Sequence, residues 1–206
     1  MKKIISIKFI ILFIIIFFST SIVLLIKGRK TSVSDKTPSP SYRIKGNKDA
    51  KIIIIEYSDF ACPACSYMNE YLNNLLSYFP NDFVLHFKHL PLINIHPNSF
   101  NAAVWAECVG MKENKFFEFA DILFKRKNEW SNANDYLKFF EKYTREIGID
   151  LDKIRSCYNS GETVDIVKLD IKKADKLGID STPTFFVNGR IAVGGSALID
   201  EIKKEK

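Results

Sequence analysis

Residues Ile52 to Cys65, IIIIEYSDFACPAC, constrain the fold more tightly than any other stretch of this chain. A run of four isoleucines predicts a fully buried strand. Glu56 closes that run with a carboxylate where an apolar side chain is expected. Two cysteines follow with Pro63-Ala64 between them, and then a pattern of helical period. A strand that delivers a Cys-x-x-Cys pair to the start of a helix is the layout of a thiol–disulfide redox site.

The chemistry explains the residue types. Disulfide exchange proceeds by thiolate attack through a mixed disulfide, so one sulfur must ionise easily and be reachable. Cys62 at a helix start meets the positive end of the helix dipole and unpaired backbone N–H groups, both of which favour the thiolate. Cys65, one turn along, faces inward and is the resolving partner. Pro63 suits the first helical turn, where its missing N–H costs nothing. A zinc clip is the competing reading of such a pair, but it needs a second ligand pair at suitable spacing, and the sequence has none. No metal and no cofactor is expected. Glu56 has two readings: a buried acid with its pKa raised by desolvation, or a strand-end carboxylate facing solvent before Tyr57-Ser58-Asp59.

Ahead of this stretch, Phe9 to Ile26 is an uncharged, mostly Ile, Leu and Phe run of 18 residues, preceded by Lys2, Lys3 and Lys8. That is the basic-then-apolar order of an export signal. Residues 1–30 are expected to be a signal peptide or an uncleaved signal anchor, the run approaching the roughly 20 residues a bilayer needs. The formal charge of +6 belongs to this segment: its six Lys and Arg face no acid, and from Thr31 onward 24 basic residues balance 24 acidic ones. A neutral folded part removes the electrostatic case for nucleic-acid binding. Residues 31–41, TSVSDKTPSPS, read as a linker with almost nothing to bury.

The domain is expected over residues 42–206. Lys51 to Tyr57 reads as a strand, Cys62 to Phe79 as a helix carrying Met68, Leu72, Leu75, Leu76 and Phe79 at helical spacing, and Phe83 to His89 as a second strand. Pro97 opens a helical block that runs to about residue 177, with segments near 115–127, 134–147, 151–159 and 162–177. Thr184 to Val187 and Arg190 to Val193 flank Asn188-Gly189, a hairpin dipeptide; Gly194-Gly195 ends the second strand and a helix over 197–206 closes the chain. The order is β–α–β, a long helical block, then β–β–α. Phe116, Phe117, Phe119, Phe124 and Trp130 are expected in the core of the block. His86 and His89 point to opposite faces of their strand, His96 precedes Pro97, and all three read as structural.

EYSDFACPAC, HPNSFNAAVWAE and KLGIDSTPTFFVNGR together resemble the DsbA-like branch of the thioredoxin superfamily, over roughly Ile44 to the C-terminus. The resemblance implies an α/β fold in which a thioredoxin domain is interrupted by an all-helical insertion, about residues 97–177. It implies that Glu56 lies beneath the cysteines and helps move the proton of the buried thiol. It implies a cis bond at Thr182-Pro183 packed against the cysteines, with the Thr182 backbone pairing an extended substrate. It also implies a structural disulfide between Cys108 and Cys157, for which two buried free thiols are the alternative. One departure stands out: strongly oxidising relatives often carry His where this chain has Ala64, so Cys62 is expected to be less acidic than theirs. The implied activity is a dithiol oxidase acting on exported proteins with reduced cysteines, served by a membrane redox partner and located outside the cytoplasm, in the periplasm, anchored to the inner membrane. The alternatives are a disulfide reductase or isomerase, or a redox-inert binding module on the same fold.

Overall fold

The structure is a computed structural model that describes Asp35 and residues 39–205. The expected export segment and most of the expected linker lie outside the described residues. Among the described residues, no helix is long and apolar enough to cross a membrane. In chain order the elements are β1 (Ile44–Gly46), β2 (Ile52–Ser58), α1 (Pro63–Tyr78), β3 (Phe83–His89), α2 (Ser99–Glu113), α3 (Phe116–Lys125), α4 (Lys127–Trp130), α5 (Leu137–Glu146), α6 (Leu151–Ser160), α7 (Val164–Lys176), β4 (Thr184–Val187), β5 (Arg190–Val193) and α8 (Gly194–Lys203).

The isoleucine run lies at the centre of a five-stranded sheet ordered β1-β3-β2-β4-β5. β2 pairs in parallel with β3, Ile55 opposite His86, and antiparallel with β4, Ile55 opposite Phe186. A parallel pair needs a crossover, and α1 supplies it. Ile52 and Ile54 pack with Met68, Leu72, Leu75 and Leu76 of α1 and with Leu198 and Ile202 of α8. On the opposite face, Ile55 and Tyr57 pack with Ala174 and Ile179. Each such aliphatic side chain removed from water contributes about 1.5 to 3 kcal/mol. That second layer does not reach Ile53, which is 43% exposed, so the strand is not buried along its whole length. Asn188 and Gly189 join β4 to β5 with φ of 47° and 83°, the paired positive values of a tight hairpin turn.

Several boundaries differ from the sequence reading for local reasons. β1 is an additional edge strand, antiparallel to β3 and too short to show a period. The segment read as one helix over 115–127 divides at Arg126 into α3 and α4. α8 begins at Gly194, two glycines that the sequence reads as a break being accommodated in its first turn. Phe117 is only half-buried, packing partly against both cores with the Lys45 ammonium over its ring, whereas Phe116, Phe119, Phe124 and Trp130 are buried as expected.

Helices α2 to α7 form the insertion. Cys108 of α2 and Cys157 of α6 are joined by a disulfide, S–S 2.05 Å, across 49 residues of sequence. Trp105 donates to Thr144 Oγ1 at 2.9 Å and Trp130 to the Leu123 carbonyl at 3.0 Å, so both buried indoles are satisfied.

A buried ionic network ties insertion to sheet. The Glu107 carboxylate of α2 meets Arg43 Nε at 3.1 Å and His89 Nε2 at 2.8 Å, and accepts from the Tyr42 hydroxyl at 2.7 Å. Asp170 of α7 pairs with Arg43 Nη1 and, at 3.5 Å, with Lys88 Nζ, and accepts from the His89 backbone N–H at 3.0 Å. Residues ahead of Tyr42 also dock, which their polar composition does not suggest. Buried Asp35 accepts from the Tyr57 hydroxyl at 2.6 Å, and Ser39 donates to the Phe87 carbonyl at 3.0 Å.

Candidate active site

The ends of three strands assemble the site. β2 and β3 are parallel, so their C-terminal ends lie together, and β4 enters the sheet from that end in the opposite direction. Cys62 leaves β2 through a four-residue turn and is the N-cap of α1, with Pro63 at the first helical position. Its N–H donates to the Asp59 carbonyl at 3.1 Å. Both Cys62 and Cys65 are free thiols, Cys65 fully buried and Cys62 8% exposed.

The two sulfurs are driven apart electrostatically. Cys62 is lowered from an ordinary 9.0 to about 5. The largest cause is the Cys65 thiol donating to it, aided by the backbone N–H groups of Cys65 and Ala64, with burial opposing. Ala64 thus contributes through its main chain, although its side chain offers nothing. Cys65 moves the other way, well above its usual value, because burial disfavours its thiolate and the charges of Cys62 and Glu56 add to that. One sulfur is therefore ready to attack at neutral pH and the other is held protonated until a base takes its proton.

Glu56 is buried in the middle of the sheet, on the same strand face as Ile52 and Ile54. Burial pushes its carboxyl up to about 7; the Ser58 hydroxyl opposes this and negative charge on Cys62 adds to it. Of the two readings open at the sequence level, the solvent-facing one is excluded. Glu56 Oε1 has no hydrogen-bond partner among the described residues.

Thr182-Pro183 is a cis peptide bond. Thr182 presents its carbonyl to Cys62 Sγ at 3.5 Å, and its hydroxyl oxygen is buried without a partner among the described residues. Cys62, Cys65, Glu56 and Thr182-Pro183 are thus brought together, from β2, α1 and the residues before β4. Cys108 and Cys157 take no part, being bonded to each other within the insertion. Among the described residues, no three His, Cys, Asp or Glu side chains are placed to hold a metal ion.

One buried residue beside the cysteines escaped the sequence reading. The Asp59 carboxylate accepts from the N–H groups of Ala61 and Leu92 and from His96 Nδ1, each at 2.8 Å. It pins the turn that carries Cys62 to the loop entering the insertion. An Asp two residues before a turn N–H is a known local acceptor, which is the signal that was available.

A family model described as thioredoxin matches residues 39–204. The fold is similar to that of oxidised BdbD from Bacillus subtilis, with a TM-score of 0.69 and 21% identity over 82% of this chain and 94% of that one. It is likewise similar to α-DsbA1 from Wolbachia pipientis, with a TM-score of 0.68 and 23% identity over 83% of this chain and 98% of that one. A sequence relative, the Na(+)/H(+) antiporter NhaA 1 of Mycobacterium sp. (strain KMS), is 31% identical over 151 residues, 71% of this chain and 23% of the antiporter. The chain thus spans less than a quarter of the length of that relative.

Proposed function

We propose, from the premise that this chain belongs to the thioredoxin family, that it is a thiol:disulfide oxidoreductase whose net direction is dithiol oxidation of exported proteins through Cys62 and Cys65. The observation that carries this reading is the opposed displacement of the two thiols, Cys62 down to about 5 and Cys65 well up. A stabilised Cys62 thiolate stabilises the reduced enzyme, and a stable reduced form makes the disulfide a better oxidant. In the oxidative direction a substrate thiolate attacks Cys62 Sγ, the Cys62–Cys65 bond breaks, and Cys65 leaves and takes a proton from Glu56. A second substrate thiolate then attacks the mixed disulfide, forming the substrate's disulfide and releasing Cys62 as thiolate. Thr182 and Pro183 border the sulfur where an extended substrate would lie.

The apolar run Phe9–Ile26 and the Cys108–Cys157 disulfide support an extracytoplasmic, membrane-tethered location, since disulfides persist in oxidising compartments. A membrane redox partner would then reoxidise the dithiol. Ion transport is no part of this reading, because the antiporter match covers under a quarter of that protein. Reduction is the second reading, favoured by Ala64, which adds no charge or side-chain donor beside Cys62. Equilibration of the full-length chain with glutathione decides between them: a potential near −120 mV supports the oxidase, and one near −270 mV supports the reductase. Exchange activity that survives Cys62→Ser sinks both.

A further inference from the structure

Ser58 is the last residue of β2, two residues beyond Glu56 and therefore on the same face of the strand. Its side chain is buried, and its hydroxyl oxygen, like Glu56 Oε1, has no hydrogen-bond partner among the described residues. Two buried polar atoms left unpaired on one strand face are uncommon away from functional sites. The Ser58 carbonyl accepts from Leu90 N–H at 2.9 Å and Ser58 stands opposite His89 in the sheet, so the main chain holds the strand without the orphaned hydroxyl.

We infer that Ser58 is a positioning residue for proton transfer between Glu56 and Cys65, its hydroxyl turning to donate to the Glu56 carboxylate whenever that carboxylate is ionised. This inference rests on the redox reading above. In resolution of a mixed disulfide, Cys65 gives its proton to ionised Glu56 and attacks Cys62 Sγ. The Cys62–Cys65 bond forms, the bond from Cys62 to the bound thiol breaks, and the departing thiolate takes a proton from water. A hydroxyl that donates only to the charged carboxylate favours the state that accepts the proton. Beside Glu56 in the sheet lie Phe87 of β3 and Phe185 of β4, and the charge that bears on it is the like-signed Cys62 thiolate. Among the described residues, the favourable influence on its charge comes from Ser58.

The test follows the decay of the Cys62–glutathione adduct after the reduced full-length chain is mixed with glutathione disulfide, by acid quench and mass measurement between pH 5.5 and 9. In the wild type, resolution speeds up through the Glu56 midpoint near 7. Ser58→Ala is expected to move that midpoint upward, so that the wild-type-to-variant rate ratio is about fivefold larger at pH 6.5 than at pH 9, the change expected for a shift of most of a unit. Ser58→Thr, which keeps the hydroxyl, is expected to hold the wild-type midpoint. In a Glu56→Gln background, Ser58→Ala is expected to have no pH-dependent effect. A Ser58→Ala profile parallel to the wild type at every pH overturns the inference, as does a Thr variant that shifts like Ala. If the wild type forms no adduct and no Cys62–Cys65 disulfide, the redox reading itself fails.

Discussion

Reduction of the Cys62–Cys65 pair is expected to stabilise the protein at pH 7 and to lose that effect as the pH approaches 5. Cys62 sits at about 5 in the folded dithiol against an ordinary 9.0. A depressed value means the folded state holds fewer protons than the unfolded chain between those limits, so the contribution is complete above pH 9 and disappears as the pH falls through 5. Two units below 9, it stands at about 2.7 kcal/mol, and solvent screening at a sulfur near the surface brings this to about 1 to 2.5 kcal/mol. As a two-electron potential, that is about 20 to 50 mV toward the oxidising side. Glu56 titrates in the same range but in both redox forms, so it cancels to first order when they are compared. The entropic effect of closing the disulfide does not depend on pH. Urea unfolding of the oxidised and reduced full-length chain between pH 5 and 8 reads the difference directly. The stability of the reduced form relative to the oxidised one should fall by up to about 1.4 kcal/mol per pH unit on acidification. A difference that stays constant over that range refutes the reasoning. Because the Cys65 thiol is the largest cause of the displacement, Cys65→Ala should raise the Cys62 midpoint, read by thiolate absorbance near 240 nm, by about a unit. Cys65→Ser keeps a donor and should raise it less.

Other perturbations address the frame around the site. Arg43→Met leaves Glu107 and Asp170 short of a partner in the interior and should cost about 3 to 5 kcal/mol by chemical denaturation. Gly46→Ala should also destabilise, by about 2 kcal/mol or more: φ there is +98° and a methyl would collide with the Phe83 carbonyl oxygen. Removing the Cys108–Cys157 bond with paired alanines opens a loop set by 49 residues and should lower stability by about 4 kcal/mol in the chain-entropy account, while leaving Cys62 thiolate absorbance unchanged.

The parts of the fold readable in advance were those with a strong local signal. Four isoleucines, a Cys-Pro start to a helix and Asn188-Gly189 each specify backbone geometry almost alone. The helical block was legible as a block because its apolar residues keep a helical period over long stretches. What was not legible depends on partners far off in the chain. β1 is three residues long and is a strand only because Ile44 lies opposite His86. Asp35 and Ser39 sit in a segment of linker composition and are buried only because Tyr57 and the Phe87 carbonyl receive them. Asp59 looked like one more polar residue after Glu56, although its carboxylate gathers three donors from two loops.

The buried charges divide into two groups, and the division bears on how Glu56 should be understood. Arg43, Lys88, Glu107 and Asp170 lie in the interior as ion pairs, with His89 and Tyr42 completing their hydrogen bonds. That is the arrangement needed to keep charge out of water without a ruinous desolvation cost. Glu56 is equally deep and could have been met by a cation in the same way, but among the described residues the charge that bears on it is the like-signed Cys62. A paired Glu56 would remain ionised at any physiological pH and could not return a proton to Cys65. Left without a cation, its carboxyl sits near 7, able both to accept and to donate a proton around neutral pH. On the proposed role of Glu56 in moving the Cys65 proton, the unsatisfied oxygen is a requirement of that transfer rather than a packing defect, and the cation it lacks is one that would have fixed its charge. Introducing that partner makes the argument testable: Phe185→Lys, opposite Glu56 on β4, should pull the Glu56 midpoint down and flatten the pH dependence of mixed-disulfide resolution near 7. If the variant folds, by far-ultraviolet circular dichroism, and keeps the wild-type profile, the unpaired state of Glu56 has no bearing on the proton it moves.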